Sequence, residues 1–244
     1  MSIVFLIAVG GIIARGWGNL PDVDVDSKSA PNSPLALKEV AQRGRNNYKA
    51  TGTAAAANLT ANEELRMTLD AEAAKSQKGI SGLTLRRIAA IESKCDLDLA
   101  YSKPLVRGYF QMNEAACTDV SIPFADIKEK TAWKKGCEAG RKFLDLNWKR
   151  LEDEGLTLSD GTKATLTVLY LWHQQGSGAA PKLLKNLADG TAKGKAANDN
   201  MRANVGPQAL ASIDGPATGG HKMTELEYYA YWAGAIDATI EAIK

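Results

Sequence analysis

The sequence predicts an all-α fold, on three observations. Apolar residues recur at three- and four-residue steps over long stretches. No alternation of polar and apolar residues long enough for a strand follows Gly79. Alanine, leucine, glutamate and lysine, all good helix formers, fill the intervals.

Trp133, Cys137, Gly140, Leu144, Trp148 and Leu151 form one stripe of an amphipathic helix running from Trp133 to Leu151, and Gly155 is placed to end it. Ser159 and Asp160 can start the next helix, Lys163 to Gln175. Leu166, Val168, Leu169, Leu171 and Trp172 make that helix apolar on most faces, so it should be central. A shorter helix is expected from Ala179 to Leu187, and a closing helix from Met223 to Ile243. Between them Gly190 to Gly206 is polar and glycine-containing, and reads as a mobile loop. Upstream, Leu85, Ile88 and Glu92 share a helical face, with Ile91 beside them. A compact domain is therefore expected over residues 79–244.

Residues 1–78 read as an N-terminal extension. Two helices are expected in it, near Leu35 to Asn47 and Ala54 to Lys75. Asn19 to Pro34 is rich in Pro, Ser and Asp and reads as a linker. Asp22, Asp24 and Asp26 have the opening spacing of a calcium loop. Ser27 and Ser33 stand where that loop needs its glycine and its bidentate glutamate, so no calcium site is expected. Ile3 to Ile13 is apolar but shorter than the roughly 20 residues of a spanning helix. No basic residue precedes it, as a signal peptide would require. Two readings stand: a buried strand or helix, or a segment that contacts a membrane or an assembly.

Composition excludes some functions. The net charge is +2 with both signs interspersed, so the basic footprint of a nucleic-acid binder is missing. Cys95, Cys117 and Cys137 fit no zinc spacing and read as buried small hydrophobes, although one disulfide between two of them remains open. No metal or organic cofactor is implied.

Glu92 carries the chemistry. A general acid must hold a proton near neutrality, which a partly dry pocket favours. Taken alone, a helix glutamate more often faces water. Its company changes that reading. Ile91-Glu92-Ser93 is followed by Gly108-Tyr109-Phe110-Gln111-Met112, then by Trp172-His173-Gln174-Gln175-Gly176-Ser177-Gly178, and last by Glu225-Leu226-Glu227-Tyr228-Tyr229.

In this order the segments resemble the lytic transglycosylases with a goose-lysozyme-like domain. Their pattern is Glu-Ser, then Gly-Leu-Met-Gln, then Ala-Tyr-Asn-Ala-Gly-x-Gly, then Glu-Thr-x-x-Tyr. The resemblance covers Gly79 to Lys244 and is most specific in its first two motifs. It implies a lysozyme-like helical domain that cleaves the bond between N-acetylmuramic acid and N-acetylglucosamine in peptidoglycan. Glu92 would be the single catalytic acid and base. Ser93, Gly108, Gln111, His173, Gln174 and Tyr229 would line the glycan, with Ser93 and Gln111 also able to steady Glu92. Glycosidases that use water need two carboxylates. Here only Glu92 matches a family position, with Asp96 and Asp98 as nearby acids that could hold a water instead.

The departures are specific. His173 and Gln174 replace the tyrosine and asparagine of the third motif, and Tyr109 and Phe110 replace Leu-Met in the second. Tyr228 lies one residue from the position of the last tyrosine. Three rivals remain. One is a muramidase of the same fold. Another is a phage virion structural or DNA-ejection component with a weak or inactive domain. The third is a helical interaction module whose motifs match by chance. The implied partner is peptidoglycan, reached from a virion or the bacterial envelope. Residues 1–78 would dock to virion or envelope proteins or to a membrane.

Overall fold

A computed structural model of the protein describes residues 37–214 and 221–244. The expected linker and the apolar run Ile3 to Ile13 lie outside them. The fold is all-α. Its helices are α1 (Leu37–Ala61), α2 (Glu63–Ala73), α3 (Gly82–Ser93), α4 (Leu97–Ala100), α5 (Glu114–Asp119), α6 (Trp133–Asp153), α7 (Lys163–Ala188), α8 (Asp199–Val205), α9 (Pro207–Asp214) and α10 (Glu225–Ala242). Among the described residues the only β pairing is two isolated bridges, Arg107 with Met112 and Ala196 with Thr224.

The ends of the helices follow from their caps. Ser81, Asn113, Thr162, Asn198 and Thr224 each accept a backbone N–H from the first turn of their helix. Thr224 and Glu227 form a reciprocal capping box at the start of α10. Helix α7 joins the two helices expected at Lys163 to Gln175 and Ala179 to Leu187. Gly176, at φ 66° and ψ 178°, breaks it where the sequence places the gap. Pro181 falls in the first turns after that break, where a missing N–H costs little.

The centre of the molecule is α10, buried from Tyr228 to Ile236 and packed on α1 and α7. The boundary expected at residue 79 is therefore corrected. Val40, Ala55, Leu59, Leu65 and Leu69, all inside the supposed extension, belong to the same hydrophobic core as Leu85, Trp172 and Trp232. Helix α1 approaches α10 so closely that only glycine fits at the crossing. A Cβ on Gly44 would lie 1.9 Å from the Tyr231 carbonyl oxygen, and one on Gly234 would lie 1.8 Å from that of Ala41. Gly234→Ala would gain up to about 1 kcal/mol of helix propensity. Forcing two backbones apart costs more, roughly 3 kcal/mol or above. The expected outcome is a net loss near 2 kcal/mol and a melting temperature roughly 4–8 °C lower by calorimetry. An unchanged melting temperature would contradict the close crossing.

The mobile loop expected over Gly190 to Gly206 is also corrected. It holds a 3-10 turn (Thr191–Gly194) and α8. Asn198 caps α8, and Met201 and Val205 bury one turn apart. Four residues of spacing inside a polar stretch were too short a signal to read as a helix.

All three cysteines are free and buried. Burial pushes the Cys95 thiol up to about 12 and Cys117 up to about 11, and raises Cys137 as well. Iodoacetamide at mildly alkaline pH should leave all three untouched in the native protein and label them after denaturation. Labelling of the native chain, read by intact mass, would contradict this packing.

Candidate functional site

Glu92 is the penultimate residue of α3. The helix ends immediately after it because Lys94 and Cys95 take left-handed backbone angles, φ 54° and 53°. Ile88, Ala89 and Ile91 hold this last turn in the core. The Glu92 side chain is left 15% exposed, which is enough to meet a solvent-borne ligand.

Three helices converge on this carboxylate. From α7, His173 places Nε2 3.6 Å from Glu92 Oε1. The imidazole is held edge-on to Phe143 at 5.5 Å and near-parallel to Tyr170 at 6.4 Å, and its Nδ1 is buried with no hydrogen bond among the described residues. Tyr170, one turn before His173, also faces Glu92. From α10 comes Tyr228, and from α1 comes Tyr48. Both phenols feel the Glu92 charge, and both pack on the Trp232 ring, as Tyr170 does. Burial first, then the Glu92 charge, holds the Tyr170 hydroxyl well above the usual phenol pKa of 10.0. Burial raises Tyr48 and Tyr228 in the same direction. All three therefore remain neutral hydrogen-bond donors beside the carboxylate at physiological pH.

A polar network extends away from the site. Gln174 Nε2 donates to the Tyr170 hydroxyl at 2.9 Å, and the Tyr228 hydroxyl donates to Gln174 Oε1 at 2.6 Å. Gln175 Nε2 donates to the Tyr228 hydroxyl at 2.9 Å, and Asn200 Nδ2 of α8 donates to Gln175 Oε1 at 3.1 Å.

The other expected site residues divide into two groups. His173 and Gln174 sit at Glu92 or one hydrogen bond from it. Ser93, Gly108 and Gln111 shape the neighbouring loop. The Ser93 hydroxyl donates to the carbonyls of Ala89 (2.9 Å) and Tyr109 (3.1 Å), tying α3 to that loop. Gly108 has φ +75°, and a Cβ there would meet Gly136 of α6 and the Tyr101 hydroxyl. Its glycine is thus explained by the turn, against protein on that side. Gln111 Nε2 donates to the carbonyls of Ala100 and Gly108, each at 3.0 Å, which braces the turn, while its Oε1 is buried with no partner among the described residues. Tyr109, Phe110 and Met112 are core residues. At the last motif, the Tyr228 hydroxyl joins the network around Glu92, and Tyr229 is buried next to it in α10.

Asp96 caps α4, accepting from the N–H groups of Asp98 and Leu99 at 2.8 and 3.0 Å. Asp98 is exposed and paired with Lys130. Tyr48 and Tyr170 were missed in the sequence. Nothing marks Tyr48, which lies outside every motif. Tyr170 carried a signal: positions 170, 173 and 174 share one helical face.

Among the described residues, no group of three or more His, Cys, Asp or Glu is placed to hold a metal ion. A separate cavity of about 350 Å³, lined by Lys78, Asp119, Arg141, Asp145 and Lys149 among others, carries none of the expected site residues. No family model, curated protein or solved structure matches this chain.

Proposed function

We propose that the chain is a peptidoglycan lytic transglycosylase with a lysozyme-like helical domain. The observation that carries this reading is the meeting of Glu92, His173, Gln174 and Tyr228, from three motifs and three helices, at one largely buried carboxylate that keeps a small exposed edge.

Glu92 donates its proton to the glycosidic oxygen as the bond from that oxygen to C1 of N-acetylmuramic acid breaks. The carboxylate then takes the proton of the same sugar's 6-hydroxyl as that oxygen bonds to C1. The product ends in a 1,6-anhydro ring, Glu92 regains its proton, and no water is consumed. One carboxylate is enough for this route, whereas hydrolysis by a glycosidase needs a second. Asp96 and Asp98, the acids nearest in sequence, are engaged in a helix cap and a surface ion pair. That favours the non-hydrolytic route over the muramidase.

His173 offers its imidazole edge beside the reacting carboxylate. The place of action is the cell wall, reached from a phage particle or from the bacterial envelope. Among the described residues no helix is long and apolar enough to cross a membrane. The test is the clearing of a suspension of purified sacculi. The purified chain should lower its turbidity and release soluble muropeptides. An unchanged suspension, with the protein folded by circular dichroism, would reject the activity and leave the reading of an inactive virion component.

A further inference from the structure

We propose that Tyr170, a residue outside every motif read from the sequence, is a positioning residue for Glu92, set by a one-way hydrogen-bond relay that begins at Asn200. The inference rests on the reading of Glu92 as the reacting carboxylate.

The direction of the relay follows from which atoms can donate. In the ionised form of Glu92, the form that takes the 6-hydroxyl proton in the second step, the carboxylate only accepts, so a phenol that faces it must donate to it. The Tyr170 oxygen is then free to accept, and it accepts from Gln174 Nε2 at 2.9 Å. That orientation of the Gln174 amide turns its oxygen toward Tyr228, whose hydroxyl donates to it at 2.6 Å. The Tyr228 oxygen accepts from Gln175 Nε2, and Gln175 Oε1 accepts from Asn200 Nδ2. Reversing any one amide would set two donors or two acceptors against each other. The chain therefore delivers a single result at its end, a phenolic proton directed at Glu92.

Packing supports the same role. Tyr170 is 2% exposed and is fixed between the rings of His173 and Trp232, so its hydroxyl has little freedom to turn away. Polar chains of this kind polarise one another in a low-dielectric interior. The groups that face Glu92 are Tyr48 from α1, Tyr170 and His173 from α7, and Tyr228 from α10. Of these, Tyr170 is the phenol whose oxygen is already committed as an acceptor to Gln174.

Two measurements test the proposal. In the full chain carrying tyrosine labelled with carbon-13 at Cζ, the Tyr170 signal is assigned through its ring contacts to both His173 and Trp232. Glu92→Gln should move that signal, because the phenol's partner changes from a carboxyl group to an amide, and Gln174→Met should move it as well. In turnover of sacculi, Tyr170→Phe should lower kcat about tenfold with KM within twofold. A Tyr170 signal blind to Glu92→Gln overturns the relay, whether or not Tyr170→Phe folds. A signal that moves while kcat of folded Tyr170→Phe stays at the wild-type value overturns the positioning role. If the wild-type chain leaves sacculi intact, the proposed activity fails, and the labelled signal still decides whether Tyr170 holds Glu92.

Discussion

A chain that begins at Ser76 should not fold. It would lack α1 and α2, and with them Val40, Leu59, Leu65 and Leu69, all at most 4% exposed. Burying one such side chain stabilises by about 1.5–3 kcal/mol. Four of them sum to roughly 6–12 kcal/mol, as large as the whole stability of an ordinary domain, about 5–15 kcal/mol. The truncation would also uncover the face of α10 around Tyr231 and Gly234 that receives Gly44 and Ala41, and it would remove Tyr48 from the site. The expected result is a chain without a cooperative thermal transition, with exposed apolar surface. A truncated protein that melts cooperatively with undiminished helicity per residue would contradict the single core. Anything residues 1–36 do in delivery or docking must be tested with α1 and α2 left in place.

Glu92→Gln should abolish turnover while sparing the fold. The amide keeps the volume and can still accept a hydrogen bond from Tyr170, but it has no proton to give the glycosidic oxygen. General acid–base catalysis contributes about 10²–10⁴-fold, so the rate should fall by at least a hundredfold. The side chain is partly exposed and, among the described residues, makes no ion pair with a lysine or arginine, so the melting temperature should move little. A variant that solubilises sacculi within a few-fold of the wild-type rate would remove Glu92 from the chemistry.

The sequence and the structure agree where the signal is local. The stripe from Trp133 to Leu151 is periodic enough to give α6 directly, and the apolar Leu166 to Trp172 announces a buried α7. The break at Gly176 is legible because glycine alone there tolerates φ 66° freely. Glu92 and His173 were legible as partners only through the order of the motifs, since they stand 81 positions apart. The long-range packing was not legible. The Gly44 and Gly234 contacts pair residues from opposite ends of the chain, and neither glycine stands out in its own helix. The register of Tyr228 and Tyr229 was ambiguous for a related reason. Both are buried, and only the packing of α10 decides which hydroxyl reaches Gln174 and Gln175. Ser93, Gly108 and Gln111 match their motifs in sequence, yet their contacts are with the protein's own backbone.

The chemistry of the cut end separates the single-carboxylate route from hydrolysis. Purified sacculi are digested in water enriched in oxygen-18, and the released muropeptides are weighed by mass spectrometry. The account predicts 1,6-anhydromuramic ends without oxygen-18, formed by the wild-type chain and absent with Glu92→Gln. Reducing ends carrying one oxygen-18 would contradict it, and would mean that water, held by a group other than Asp96 or Asp98 in their present contacts, attacks C1.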